Sequence, residues 1–323
     1  MKNDVLYYKV GALLYCPANK KTIADSIINE KFGKNYSLAL CLEDTINDDF
    51  VEEAEQELIH SISLIHEALE KKSFYLPKIF IRVRYPSQIT KLTLALRDYL
   101  TILDGFILPK FSLDTCEAYL NELVSANELA QKKLYTMPIY ESATIVDLDR
   151  RTDILYSLKD SLSRVEDLVL NIRVGGNDLS HTFGLRRHAD ETIYQIRPIA
   201  NIFSDLITIY GRDYIVSGPV WEYYSGPNWE QGMLREIRED QLCGFTGKTV
   251  IHPNQIPVVN RAYQVSAADY NDAREILNWN KDSNAFVCGS HLKNRMNEYK
   301  THTNWARRML YLAEVYGVRD ESL

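Results

Sequence analysis

The chain has 323 residues, 46% of them apolar and 25% charged, enough to bury a large core. Its net charge is −7, and its Lys and Arg residues are scattered among acids instead of clustered, which argues against a nucleic-acid partner. The five cysteines (Cys16, Cys41, Cys116, Cys243, Cys288) are widely spaced and form no C-x-x-C pair, so neither a zinc knuckle nor a disulfide framework is indicated.

No run approaches the roughly 18 apolar residues that cross a bilayer, and MKNDVLYYKV lacks the apolar stretch of a signal peptide. The expectation is a reduced, soluble, cytoplasmic protein with no membrane partner.

Short, nearly continuous apolar runs begin near Val10, Ser37, Ile79, Gly105, Tyr135, Leu168, Tyr214 and Lys248. Continuous apolar runs of this length are what strands buried on both faces look like. Helical stripes lie between them: Val51, Ala54, Leu58, Ile62, Ile65 and Leu69, then Leu113, Cys116, Leu120 and Leu123. Strand and helix in unbroken succession mean right-handed parallel crossovers, and eight such units close into a (β/α)₈ barrel. No Gly-x-Gly-x-x-Gly follows the first strand, which weakens a dinucleotide fold. Past the barrel, predicted over 1–265, an extension over 266–323 carries a helix from near Ala267 and another over Asn304 to Tyr316; it belongs to the same domain and could cap the barrel or reach a neighbouring subunit.

In such barrels the site lies at the C-terminal strand ends. Those ends carry Asn19, Glu43 and Asp44, Arg82 and Arg84, Lys110, Glu141, Gly175-Gly176-Asn177-Asp178, Ser217 and His252. Glu141 and Asp178 follow neighbouring strands about 4.8 Å apart. Two carboxylates brought together repel unless a cation lies between them or one takes a proton. Few, hard oxygen ligands suit Mg²⁺. The alternatives are an ion pair of Glu141 with Arg82 or Lys110, and a helix N-cap for Asp178. Gly175 and Gly176 permit close backbone approach, or simply make a tight turn. Arg82 and Lys110 could hold a carboxylate or an enolate oxyanion, or act as counter-ions.

Gly247-Lys248-Thr249 has the look of a P-loop, but Leu242 stands where a glycine is required, so that reading is rejected. His252 and His181 are candidate bases, with a hydrogen-bonded structural role at least as good for His252. The cluster Trp221, Tyr223, Tyr224 and Trp229 reads as loop packing or an interface before a stacking platform.

Taken in order, Leu13-Leu14-Tyr15-Cys16-Pro17-Ala18-Asn19, Leu42-Glu43-Asp44, Arg82-Val83, Leu108-Pro109-Lys110, Glu141, Gly176-Asn177-Asp178-Leu179 and Gly244-Phe245-Thr246-Gly247-Lys248-Thr249-Val250-Ile251-His252-Pro253-Asn254-Gln255-Ile256 resemble the HpcH/HpaI aldolase and citrate lyase β-subunit family, closest to its citrate-lyase-like branch. The resemblance implies a TIM barrel with Mg²⁺ on Glu141 and Asp178. It implies catalytic roles for Arg82, Glu43, Asp44 and Lys110, with Glu43 and Asp44 supporting the waters around the ion. Arg82, Gly176, Asn177 and Asn19 would contact substrate.

The implied activity is Mg²⁺-dependent carbon–carbon bond cleavage or formation on a hydroxy acid or its coenzyme A thioester, through the enolate of a 2-oxo acid, in a homo-oligomer, trimer or hexamer. Two alternatives are a non-catalytic barrel that binds an oxo acid or coenzyme A ester as a partner subunit, and a metal-dependent thioesterase. The general base is open; Glu298 is a candidate if the tail folds over a site.

The sequence departs from the family pattern in four places. Ala18 replaces the glycine of P-G-N, Cys41 opens what is usually D-L-E-D, Arg84 stands where an asparagine follows R-V, and Met296-Asn297-Glu298 only loosely matches a terminal aspartate motif.

Overall fold

The computed structural model describes residues 4–319. Its centre is a sheet of eight strands: β1 (Ala12–Pro17), β2 (Tyr36–Cys41), β3 (Lys78–Arg82), β4 (Leu103–Leu108), β5 (Tyr135–Tyr140), β6 (Ile172–Val174), β7 (Val216–Ser217) and β8 (Lys248–Val250). From β1 to β7 each strand pairs in parallel with its neighbour in sequence, and β1 also pairs with β8. Gly218, directly after β7, bridges Lys248 of β8, so the ring closes into the expected (β/α)₈ barrel. All eight predicted strands are present.

Three of them are shorter than their apolar runs. The run from Leu168 begins with a 3-10 turn, Glu166–Leu168, and touches β5 only through a Thr136–Val169 bridge before β6 proper starts at Ile172.

Helices α1 (Ile23–Ile28), α2 (Val51–Lys71), α3 (Gln88–Ala95), α4 (Cys116–Ala130), α5 (Arg151–Ser163), α6 (Gly176–Thr182), α7 (Arg197–Tyr210), α8 (Trp229–Cys243) and α9 (Gln255–Ala262) follow the strands. In α2 the stripe Ala54, Leu58, Ile62 and Ile65 is fully covered, as its spacing of three and four dictates. Each large aliphatic side chain of that stripe contributes about 1.5–3 kcal/mol, an upper bound because the unfolded chain already hides some area. In α4 the covered residues are Cys116, Tyr119, Leu120, Leu123 and Ala126, while Leu113 lies before the helix and is exposed. Pro198 in the first turn of α7 has its φ preset for a helix and gives up no needed donor. Gly244, at φ 105°, ends α8 in the left-handed region that glycine adopts without penalty.

The chain divides into two compact units, residues 10–259 and residues 4–9 with 260–319. The second holds α10 (Ala267–Leu277) and α11 (Tyr299–Tyr316), packed through Ala273, Ile276 and Ala306 with Trp305 and Met309 alongside. The Ser266 hydroxyl caps α10 by accepting from the Asp269 N–H at 3.0 Å. A hairpin, β10 (Val287–Gly289) with β11 (Met296–Glu298), and a short pair, β9 (Val265–Ser266) with β12 (Val318–Arg319), complete it. The last helix starts five residues before the expected Asn304. No helix among the described residues is long and apolar enough to cross a membrane.

Candidate active site

Strand parity decides which side chains face the barrel interior. On β1, Tyr15 points in; on β3, Arg82; past β5, Glu141; on β6, Arg173; on β8, Thr249; all line one cavity of about 360 Å³ at the C-terminal strand ends. Asp44, Gly176, Asn177 and Asp178 also line it.

Arg82 is the hub. It is 6% exposed, and its Nη2 reaches Glu43 Oε2 at 2.8 Å, Glu141 Oε1 at 3.0 Å and Asp44 Oδ2 at 3.1 Å. Lys110 shares the load, with its ammonium on Glu43 Oε1 at 2.5 Å and Asp44 Oδ1 at 2.9 Å. Lys110 also has φ 47°, uncommon for a residue with a side chain; that geometry aims its backbone N–H at Glu141 Oε1, 3.0 Å away, while the side chain turns to the other two acids. The ion pair of Glu141 with Arg82 is therefore present, and Lys110 meets Glu141 through its backbone.

The electrostatics follow from burial and charge. Burial pushes the Glu141 carboxyl up to about 7, with Arg82 pulling down and the Asp178 charge pushing up. Burial likewise raises Glu43, against the pull of Arg82. Burial opposes ionisation of Asp44 too, yet its hydrogen bond with Glu43 and the charges of Arg82 and Lys110 hold it down at about 2. The Tyr15 phenol is pushed up to about 12 by burial, against the pull of Arg173 and Arg82.

Asp178 occupies the first turn of α6, whose N-cap is Gly175. Glu141 Oε1 is committed to Arg82 and Lys110, while Oε2 lies over Gly175: a Cβ there would be 2.5 Å from it. Among the described residues no group of three or more His, Cys, Asp or Glu gathers as a closed metal centre would. Glu141 Oε2 with Asp178 is the pair that could hold a cation whose remaining ligands come from water or substrate, the habit of Mg²⁺.

The other sequence candidates fall as follows. Gly176 and Asn177 line the cavity, Asn177 from an exposed rim position. Glu43 and Lys110 stand behind it, holding Asp44 and Arg82, and Asn19 is exposed beyond β1 without lining it. His252 stacks on Tyr224 at 4.6 Å and accepts the Asn254 N–H through Nδ1 at 3.2 Å, a structural role. Trp221 is fully buried under the Arg187 guanidinium, 5.1 Å from its ring, so it packs and offers no platform. Lys248 is fully buried on Glu236 at 3.0 Å and Asp240 at 2.7 Å, no phosphate ligand. Glu298 sits at the N-cap position of α11 in the second unit, and its carboxylate accepts from the Thr301 hydroxyl at 2.8 Å.

The departure at Arg84 has a structural explanation. Its guanidinium donates to the carbonyls of Leu42 at 3.0 Å and Glu43 at 2.8 Å, and to that of Ile46, bracing the loop that carries Glu43 and Asp44. Thr45 and Arg173 belong to no motif read from the sequence, and Tyr15 and Thr249 stand in motifs without an expected site role, yet all four line the cavity. The available signal for Arg173 was a lone charge inside an otherwise apolar strand.

A barrel with this end-on arrangement has relatives. The profile of the family C-C_Bond_Lyase of the TIM-Barrel fold matches residues 4–318. The chain belongs to this family. The mitochondrial citramalyl-CoA lyase of Rattus norvegicus is 46% identical over 48 residues, 15% of this chain and 14% of the relative, so the chain spans about a seventh of that protein's length.

Among solved structures, this C–C bond lyase family member is similar to CitE of Mycobacterium tuberculosis in complex with magnesium, acetoacetate and coenzyme A, with TM-score 0.60, 18% identity, and 95% of this chain and 99% of that one covered. CitE with magnesium and pyruvate gives TM-score 0.54 and 19% identity, over 80% of this chain and 92% of that one. At such identity the likeness shows the shared barrel.

Proposed function

We propose that this C–C bond lyase family member makes or breaks the bond next to a 2-oxo acid, with Mg²⁺ held by Glu141 and Asp178. The observation that carries the reading is the single cavity in which Glu141, Asp178 and Arg82 meet. The ion, when bound, supplies Lewis-acid stabilisation of the negative charge that develops on the oxo-acid oxygens as the bond breaks.

The chain's own residues prepare that step. Glu141 keeps Oε1 on Arg82 and the Lys110 N–H, which fixes the carboxylate so that Oε2 can act as a ligand. Asp178, carried on a short helix after two glycines, brings the second carboxylate. Arg82 is prepaid in orientation by three acids, so its positive charge needs little reorganisation to stabilise a developing oxyanion. Lys110 balances Glu43 and Asp44, which would otherwise cancel the Arg82 charge. Gly176 and Asn177 at the rim face the incoming acid, and Asn19 stands farther out. The other half of the substrate is a free acid or a coenzyme A thioester, the latter suggested by the names of the relatives. Assembly as a homo-oligomer, trimer or hexamer, follows from the family resemblance.

Isothermal titration of oxaloacetate or pyruvate with MgCl₂ tests the reading. Wild type should give saturable, Mg²⁺-dependent binding and Asp178→Ala none; unchanged binding by the variant would remove Asp178 from the site.

A further inference from the structure

The eight strands follow one another around the barrel, so β1 and β5 face each other across it. Tyr15, on β1, therefore stands opposite Glu141, which follows β5, and both line the same cavity. By register, Arg82 is level with Cys41 of β2, and Cys41 with Pro17 of β1. Tyr15 is thus one inward-facing step below the arginine. The Arg82 guanidinium lies over the Tyr15 ring, 5.8 Å from its centroid, and holds it in place.

Packing accounts for the ring but not for its oxygen. A phenylalanine would fill the same space under Arg82 without carrying a hydroxyl into a covered site, where a polar group lacking a partner is costly. Among the described residues that hydroxyl has no hydrogen-bond partner; burial and nearby charges, those of Arg173, Arg82 and Glu141 among them, act on it. Its neighbours in the lining are committed. The Arg82 Nη2 serves three protein carboxylates, Thr249 Oγ1 accepts from Arg173, and the Thr45 hydroxyl donates to the Cys41 carbonyl at 3.4 Å. A phenol with an ordinary value of about 10 is protonated at neutral pH, so it presents a donor without a charge.

We propose that Tyr15 is a further catalytic residue, whose hydroxyl donates a hydrogen bond to the oxo-acid oxygen on which negative charge develops. It does so from the side of the cavity opposite the Glu141 carboxylate. The inference rests on the reading of the cavity as an Mg²⁺-dependent oxo-acid site. A neutral donor gains most from an acceptor that becomes charged, so this bond is stronger to the developing oxyanion than to the oxo group it came from. The proton stays on the phenol throughout.

The test is titration calorimetry with MgCl₂ of two ligands, pyruvate and oxalate. Oxalate is planar and carries a charged oxygen where the enolate of pyruvate carries one. Tyr15→Phe should bind oxalate about tenfold more weakly than wild type, the worth of a hydrogen bond to a charged acceptor, and pyruvate more weakly by roughly threefold or less. Its urea midpoint should match that of wild type, because the lost oxygen bonds nothing in the protein. A midpoint clearly below wild type, or a failure to fold, would show that the hydroxyl has a protein partner and overturns the role of Tyr15. Unchanged oxalate binding, or an equal loss for both ligands, overturns it too, and each of these leaves the oxo-acid reading standing. Binding of neither ligand by wild type overturns that reading, and the role of Tyr15 with it.

Discussion

Gly175 and Glu141 stand on neighbouring strand ends so close together that a Cβ on Gly175 would lie 2.2 Å from the Cβ of Glu141. The φ of Gly175 is −98°, ordinary for any residue, so the requirement for glycine is one of space and not of backbone conformation. Gly175→Ala should therefore force Glu141 off its bonds to Arg82 and Lys110. The expected cost is about 1–3 kcal/mol by urea unfolding, with loss of Mg²⁺-dependent oxo-acid binding. Gly289→Ala, where a Cβ meets nothing within 4 Å, is the control. A Gly175→Ala protein as stable as wild type, with binding intact, would show that the strand ends can spread.

Arg82 balances more acid than any other side chain in the cavity. Arg82→Met would leave Glu43 and Glu141, 5% exposed each, without their main cation. Breaking a buried pair from one side costs about 3–5 kcal/mol. Arg82→Lys keeps the charge but loses the fork that serves three carboxylates, so its loss should be smaller. Urea midpoints should rank wild type, then Lys, then Met. A Met variant that unfolds with the wild type would mean the acids are relieved by protonation instead.

The barrel was legible because its strands are buried on both faces and its helices on one, and those two periods are visible in residues such as Ser37–Leu42 and Ala54–Ile65. The acids and bases at the strand ends were legible for a related reason: a polar residue that ends an apolar run, such as Glu43, Arg82 or Glu141, has few other places to be. Which residues share one cavity depends on inward or outward parity, and a strand of three residues gives no repeat from which to read it. That is why the inward direction of Arg173 and Thr249 is not legible in the sequence, and why Asn19, in an adjacent motif, lies outside the lining. The 3-10 turn that absorbs Leu168, and the hairpin of Val287–Gly289 with Met296–Glu298, have no strong local signal.

Asp44 offers a pH test with a defined sign. Its folded pKa of about 2 lies below the ordinary carboxyl value of about 3.9, so its ionised form is favoured in the native state. Its contribution is fully present above pH ~4 and fades as pH falls toward 2. The side chain is 45% exposed, which limits that contribution to roughly 0.5 kcal/mol after solvent screening. Asp44→Asn should be less stable than wild type by about that amount at pH 6, with the gap closing as the solution is acidified from pH ~4 toward 2. Thermal melts across this range measure it; a gap that stays constant would detach Asp44 from Arg82 and Lys110.

Lys248, beneath the wall of the barrel, presents a harder case, because its partners have other partners. Glu236 keeps the Arg187 Nε at 3.0 Å and the Ile193 N–H at 2.8 Å when the ammonium is removed. Asp240 keeps only the Tyr194 hydroxyl, at 2.6 Å, from its present set. Burial already raises the Asp240 carboxyl to about 6 against the pull of Lys248, and losing that pull in Lys248→Met raises it further. A carboxyl whose folded pKa lies above its unfolded value holds its proton more tightly when folded, so stability is lost as pH rises from ~4 through the folded pKa. In wild type that loss ends near pH 6; in the variant it continues upward. Lys248→Met should therefore cost least at pH 5, where Asp240 is protonated and needs no cation, and approach about 3–5 kcal/mol at pH 8. Urea unfolding of both proteins at the two pH values decides it: a widening gap fits Asp240 as the group left unpaired, and an equal gap would place the cost in lost packing around the lysine stem.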